Sequence, residues 1–396
     1  MVEPTTPRQP LYLRIHQRLQ ERILSGEWGF GAMLPSENDL CGEFGVARGT
    51  VRQVLAELEK EGLIRRERGR GTFITHLPRT ETVSGLSGRV LSFIVPYVRD
   101  SYVPTILLGL ENTARANGYV VLFNHVENDP GKQEDALRLA EWQGVAGIVL
   151  YPVNSTDAGP VLQDMVQRQA PLVLVDRYLR ALSTSYVTSD NFGGGLRATQ
   201  YLLGLGHRRI AFLSWDDSAI TMEHRREGYR QALNEAGLGL DPALEWSVRG
   251  YPDIDSAALA GYLQRPGLPT AIFAANDQLA LAVVRTARAL TIGIPRDLSL
   301  IGFDDLEISA QLDLPLTTIA QPAFELGKKA GELVIQKIKS QAKHAAGASS
   351  VEQHILPTRL VIRQTCGVPR NIDSKVAVPL NTRSGPYPTL KEVPGA

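Results

Sequence analysis

Residues 271–305 read AIFAANDQLALAVVRTARALTIGIPRDLSLIGFDD. Two apolar runs, Ala271–Ala274 and Leu298–Phe303, flank a helical stretch near 278–290. Strands apolar on both faces and joined by a crossover helix predict a parallel sheet covered by helices. The theme recurs upstream. Val90–Val95, Tyr119–Phe123, Gly147–Tyr151, Leu172–Val175 and Ile210–Leu213 are strand-like, with helical stretches near 103–117, 131–142, 158–169, 192–204 and 224–236. Six or more such units exceed one small sheet, so two α/β lobes with a cleft between them are expected. Ligands of open α/β sheets bind beyond the carboxyl ends of the strands. Those positions are polar here: Asn124-His125, Asp176-Arg177, Asn276-Asp277 and Asp304-Asp305. Carboxylates and amides in fixed directions suit the hydroxyls of a sugar. The plain alternative is that each Asp or Asn caps the helix that follows, the reading adopted for Asp277 and Asp305.

The N-terminal residues, 1–78, have a different texture. Leu11, Ile15, Leu19 and Ile23 recur every four residues, one apolar stripe on a helix ending near Gly26. Ser36 is a good N-cap for a second helix, with Asp39 as its capping-box partner, and Gly45 breaks that helix. A third helix starts near Ala47 and runs to Lys60, with Gly62 placed to end it. Then come two short strands around the basic turn Arg65-Arg66-Glu67-Arg68-Gly69-Arg70-Gly71. Three helices and a hairpin make a winged helix-turn-helix, whose third helix suits a DNA major groove. Arg48 and Arg52 are i,i+4 neighbours on that helix. Gly49 allows close approach, and Thr50 can meet a phosphate or a thymine methyl. A solvated charged face on a protein-binding winged helix is the alternative.

Composition sets limits. Of 396 residues, 42 are Lys or Arg and 42 are Asp or Glu, so the chain is not a uniformly basic nucleic-acid coat. Two distant cysteines, Cys41 and Cys366, make neither a disulfide framework nor a zinc site. The N-terminus lacks the pattern of a signal peptide, and no apolar run reaches membrane-spanning length. A cytoplasmic location is expected, and the sequon at Asn154 is then chance. Residues 79–88 read as a linker, 89–366 as the two-lobed effector-binding and dimerisation domain, and 367–396 as a disordered tail rich in Pro, Gly and Ser. There is no GxxxxGK[ST], HExxH or GxSxG, and Gly193-Gly194-Gly195 is not a dinucleotide fingerprint. Neither an enzyme nor a metal or cofactor site is expected. A periplasmic sugar carrier is disfavoured by the missing signal peptide.

The segment PLYLRIHQRLQERILSGEW…LPSENDLCGEFGVARGTVRQVLAELEKEGLIRRERGRGTFI resembles the DNA-binding domain of the GntR repressor family. That resemblance implies operator contacts at Arg48, Thr50 and Arg52, and minor-groove contacts at Arg68, Gly69 and Arg70. A further contact from the second helix falls on Asn38, where the family often has arginine, and Glu37 and Pro35 fit the motif. Residues 89–363 resemble the effector-binding core of LacI/GalR repressors, a periplasmic-binding-protein-like fold, on segments including LGHRRIAFLS, HRREGYRQAL and LPLTTIAQPAFELGKKAGELVIQKI. That likeness implies effector contacts at Arg225, Asn276, Asp304, Asp176 and, near the hinge, Gln321. The strand-end residues Asn124 and Arg177 join them as candidates. A GntR-type head on a LacI-type core resembles arabinose repressors, which makes L-arabinose or another pentose the first effector expected. The implied mechanism is a homodimer on palindromic double-stranded DNA, released when sugar closes the cleft. A corepressor that tightens DNA binding is compatible with the same architecture.

Overall fold

The computed structural model describes residues 11–24, 27–28, 31–67, 70–74, 88–153, 156–215, 219–248, 254–342 and 351–370. In the head, α1 (Leu11–Leu24) buries Ile15, Leu19 and Ile23 on one stripe, while Leu11 at its first position stays exposed. The expected stop at Gly26 lies outside the described residues. The helix α2 (Glu37–Phe44) opens on a capping box: Ser36 accepts from the Asp39 N–H and Asp39 accepts from the Ser36 N–H. It ends at Gly45, whose φ of 63° a residue with a Cβ rarely adopts. The third helix, α3 (Arg48–Lys60), turns Val51, Val54, Leu55 and Leu58 inward and stops at Gly62.

Strands β1 (Ile64–Glu67) and β2 (Gly71–Ile74) pair antiparallel, with Ile64 opposite Ile74. A bridge from Met33 to Phe73, not anticipated from sequence, adds a third short pairing. Leu19, Leu34, Leu40, Leu55, Leu58, Ile64 and Ile74 close one small core. Full burial of each such side chain is worth roughly 1.5–3 kcal/mol.

From Val90 the chain alternates strand and helix. The strands β3 (Val90–Val95), β4 (Val120–His125), β5 (Gly147–Leu150), β6 (Leu172–Val175) and β7 (Tyr186–Ser189) come first. Then follow β8 (Ile210–Trp215), β9 (Glu245–Val248), β10 (Ala271–Ala274), β11 (Ser299–Asp304) and β12 (Thr317–Ala320), and last β13 (Gln353–Leu356) and β14 (Arg359–Val361). The helices are α4 (Tyr102–Ala116), α5 (Pro130–Trp142), α6 (Gly159–Gln167), α7 (Asn191–Gly204), α8 (Ile220–Glu235), α9 (Ser256–Leu263), α10 (Asp277–Ala289), α11 (Glu307–Gln311) and α12 (Ala323–Ala342). Two six-stranded sheets result, ordered β13-β7-β6-β5-β3-β4 and β14-β12-β11-β10-β8-β9. The expected two-lobed α/β core is thus present. β10 and β11 pair in parallel, as the stretch at 271–305 predicts. The late strands divide between the sheets: β13 runs parallel to β7, and β14 antiparallel to β12. The chain therefore crosses between lobes three times, after β7, after β12 and between β13 and β14.

Glycines set the closest helix contacts in both lobes. A Cβ at Gly109 of α4 or Gly327 of α12 would collide with the facing helix backbone, and the same holds for Gly195 of α7 and Gly228 of α8. Each position of the run Gly193-Gly194-Gly195 has a local reason, and at Gly194 a Cβ would collide with the Phe303 ring. Asp190 caps α7 by accepting from the Gly193 N–H at 2.8 Å, and Gly195 lets α8 approach. The fold continues past the expected end at 366. The Gly367 carbonyl lies 2.9 Å from His207 Nε2 and accepts from Ser299 Oγ at 3.0 Å, and Arg370 pairs with Asp297 at 2.7 Å. Residues 371–396 and the sequon at 154–155 lie outside the described residues.

Candidate DNA-binding surface and effector cleft

On the head, Arg48 and Arg52 stand one turn apart at the start of α3, with 58% and 59% of their side chains exposed. Glu37, from the start of α2, joins them. Its Oε2 accepts from Arg48 Nε at 3.0 Å and from Arg52 Nε at 2.9 Å. Burial pushes the Glu37 carboxyl up, but the bonds from Arg52 and Arg48 outweigh it and hold the carboxyl below its ordinary range. Each arginine is held through Nε, and the two Nη donors of a guanidinium form a fork that matches a guanine edge or a phosphate.

Around this pair, Asn38 and Gly49 are exposed and Thr50 is half-buried. Arg66 of β1 donates from Nη2 to the Arg52 carbonyl at 3.0 Å, which ties the wing to α3. Arg70, 76% exposed, pairs with Glu67 at 2.8 Å, and Arg65 pairs with the same carboxylate. Arg68 and Gly69 lie outside the described residues.

In the core, Arg225, Asp304, Gln321 and Asp176 are joined through a residue not anticipated from sequence, Tyr102. Arg225 Nη1 lies 3.6 Å from Asp304 Oδ1. Gln321 Nε2 donates to that same Oδ1 at 2.7 Å. The Tyr102 hydroxyl donates to Asp176 Oδ1 at 2.5 Å and lies 3.0 Å from Gln321 Oε1. Asp176 directly follows β6 in one lobe, Asp304 ends β11 in the other, and Gln321 sits on the second crossover. One chain of polar side chains thus spans both lobes. Tyr102 lies several residues past the end of β3, at the start of α4, beyond the positions immediately after the strand that the sequence pattern singles out.

Both aspartates adopt backbone conformations that non-glycine residues rarely take, with φ of 66° at Asp176 and 123° at Asp304. Such outliers concentrate at functional sites. Thr188 Oγ1 donates to the Asp176 carbonyl at 2.6 Å and braces the first of them. Arg225 is further held by Asn191 Oδ1 on Nε at 2.8 Å and the Ala275 carbonyl on Nη1 at 2.6 Å, with its guanidinium 3.7 Å above the Phe303 ring. Burial pushes the Asp304 carboxyl well above its usual range. Arg225 opposes this, while Asp277 and Asp100 add to it. Burial and the Asp176 charge raise the Tyr102 phenol, which stays protonated at neutral pH. Further contacts join the lobes, among them Arg180 with Glu223 at 3.3 Å, Gln278 Nε2 donating to Asp100 at 3.4 Å, and the Glu307 N–H donating to Ser101 Oγ at 3.2 Å.

The other candidates are placed differently. Asn276 is the N-cap of α10, its carboxamide oxygen accepting from the Leu279 N–H at 3.0 Å. Arg177 is buried and donates to the Val153 carbonyl at 2.8 Å. Asn124, on β4, donates to Ser92 Oγ at 3.1 Å and is outside the chain of contacts. The expected caps at Asp277 and Asp305 need correction. Asp277 is the first residue of α10 and is bonded to Leu306, Ser309 and Thr318, and Asp305 pairs with Arg363 at 2.6 Å. The cap went instead to Asn276, one residue earlier, where the backbone is extended. Among the described residues no cluster of His, Cys, Asp and Glu could hold a metal ion, and no helix is long and apolar enough to cross a membrane.

Known proteins match both parts of the chain. Residues 11–74 match the bacterial regulatory proteins of the gntR family, and residues 199–366 match the periplasmic binding protein-like domain. An arabinose metabolism transcriptional repressor from Geobacillus stearothermophilus is 30% identical over 355 residues, which is 88% of this chain and 95% of that protein. A protein of the same description from Halalkalibacterium halodurans is 28% identical over 89% of this chain and 96% of its own length. The crystal structure of a putative ribose operon repressor from Burkholderia thailandensis is 25% identical and covers 69% of this chain and 99% of its own, with a TM-score of 0.61. The chain is a transcriptional regulator rather than an enzyme, and it belongs to the family of sugar-responsive repressors that join a GntR-type DNA-binding head to a periplasmic-binding-protein-like core.

Proposed function

We propose that the protein represses carbohydrate-utilisation genes from the cytoplasm and leaves its operator when a small neutral sugar, first of all L-arabinose, enters the cleft between the lobes. The observation that carries this reading is the buried chain Arg225–Asp304–Gln321–Tyr102–Asp176, which spans both lobes. A ring of sugar hydroxyls can replace its internal bonds one for one, with charge-assisted bonds to Asp304, Asp176 and Arg225. The similarity to repressors of arabinose metabolism along nearly their whole length favours arabinose among the pentoses.

Arg48, Thr50 and Arg52 read the operator, with Glu37 orienting the two arginines and Asn38 beside them. Gly49 keeps the helix close to the groove, and the wing, Arg68 to Arg70, follows the neighbouring minor groove. Two heads, one from each protomer of a homodimer, fit the half-sites of a palindrome. The exposed apolar side chains Leu108, Leu122 and Phe123 offer surface for a second copy. Sugar binds one lobe arrangement better than the other, and that difference is all the coupling requires.

The test is Asp304→Ala, assayed by calorimetry with L-arabinose and by operator binding. The expected variant binds operator as wild type does and no longer responds to sugar. Intact induction in this variant would remove Asp304 from the effector site.

A further inference from the structure

Strand β11 ends at Asp304, and this residue and the next, Asp305, both have positive φ, 123° and 59°. Neither has glycine's freedom, so the turn persists because its surroundings hold it. Two anchors do so. Beneath it lies Asp277, fully buried at the start of α10. Its Oδ2 accepts from the Leu306 N–H at 3.0 Å and from Ser309 Oγ at 2.6 Å, and its Oδ1 accepts from Thr318 Oγ1 of β12 at 2.6 Å. One carboxylate therefore ties α10, the residues just after the turn, and the neighbouring strand. Gly302 makes room for it, since a Cβ there would collide with Asp277 Oδ1. On the other flank Arg363 donates to Asp305 Oδ1 at 2.6 Å and to the Leu316 carbonyl at 2.8 Å. The residue held between these anchors is Asp304, whose carboxylate faces Arg225 and Gln321.

We infer that Asp277 is a positioning residue for the effector cleft: with Arg363 it fixes the Asp304–Asp305 turn and thereby sets the angle at which Asp304 meets a ligand. The ligand arm of this inference rests on the sugar-sensing reading of Asp304, and the anchoring arm does not.

The experiment uses the full chain carrying Asp277→Ala, and Asp277→Asn in case the alanine variant fails to fold. Hydrogen exchange without ligand is followed at residues 304–309, with β8 as the internal control. L-arabinose affinity is measured by calorimetry and operator affinity by fluorescence anisotropy. For Asp277→Ala the expected results are at least tenfold faster exchange at Leu306 with β8 unchanged, at least tenfold weaker L-arabinose binding, and unchanged operator binding without sugar. Asp277→Asn keeps the shape and one acceptor, and falls between this variant and wild type. A lower melting temperature with wild-type exchange at 304–309, or with wild-type sugar affinity, means a merely structural carboxylate and overturns the inference. If the unmodified protein binds no sugar of a pentose and hexose panel, the sugar reading fails. The exchange rates then still decide whether Asp277 holds the turn.

Discussion

The head and the cleft each set arginine against carboxylate, at opposite extremes of burial. At the start of α3, Arg48 and Arg52 converge on Glu37 of α2, and more than half of each arginine side chain meets solvent. In the cleft, Arg225 and Asp304 keep 3% and 11% of their side chains exposed. Exposed ion pairs contribute about 0–1 kcal/mol, so the head's pairs can be exchanged cheaply for phosphate or guanine. A buried charge that loses its partner costs several kcal/mol, so the cleft's pair opens only for a ligand that replaces what it removes. The first cluster suits a salt-sensitive, dissociable partner. The second suits a small ligand bearing several hydroxyls.

Breaking the buried cluster has the largest expected effect. Arg225→Met leaves Asp304 without its cation and Asn191 Oδ1 and the Ala275 carbonyl without a donor. It should destabilise the protein by about 3–5 kcal/mol in denaturant unfolding. Arg48→Ala in the same assay should change stability by less than about 1 kcal/mol. Comparable losses from the two would dissolve the contrast. The head variant should instead lose about 1–3 kcal/mol of discrimination for its operator, with sugar binding intact. Unchanged gel-shift affinity for an operator palindrome would mean that α3 is not the reading helix.

The two sites differ in the sign of their pH dependence. Glu37 has a depressed pKa in the folded protein. Its contribution is complete above the unfolded value and lost as pH falls through the folded one. Asp277, beneath the cleft, is pushed up to about 6 by burial against an ordinary 3.8. Between those values the folded state holds a proton that the unfolded chain releases, so stability falls as pH rises through the window and levels off above it. Melting curves of wild type against Asp277→Asn should show the wild type losing ground from pH 4 to 6. A constant difference would mean that Asp277 titrates normally.

The smallest effect belongs to the wing. Arg70 is 76% exposed and paired with Glu67. Arg70→Ala should weaken operator binding and lower the slope of log affinity against log salt by about 1, the release of one phosphate's counterions. An unaltered slope would argue that Arg70 touches no phosphate.

Much of this was legible in the sequence, for identifiable reasons. The capping box at Ser36 and Asp39, the stop at Gly45 and the apolar runs of the sheets are local signals, and each appears where it was read. The strand-end rule found Asp176 and Asp304. It could not find Tyr102, which reaches Asp176 from a different segment 74 positions away in the chain. Nor could it separate Asn276 from Asp277. Which of two adjacent polar residues caps a helix depends on which one has extended backbone, and here packing of Asp277 beneath Gly302 decides it. Strands β13 and β14 are short and half-exposed, so they lack the continuous apolar runs that marked the central strands.

Energetic coupling between the cleft and the head is directly measurable through linkage. Operator affinity of the full-length protein is titrated by fluorescence anisotropy at fixed salt, with and without saturating L-arabinose, and L-arabinose affinity is titrated with and without saturating operator. Coupling through one equilibrium requires both factors to be equal. Sugar is expected to weaken operator binding, and operator to weaken sugar binding, by that same factor, on the order of 5–150-fold. Sugar that binds in the cleft while operator affinity stays constant would contradict it.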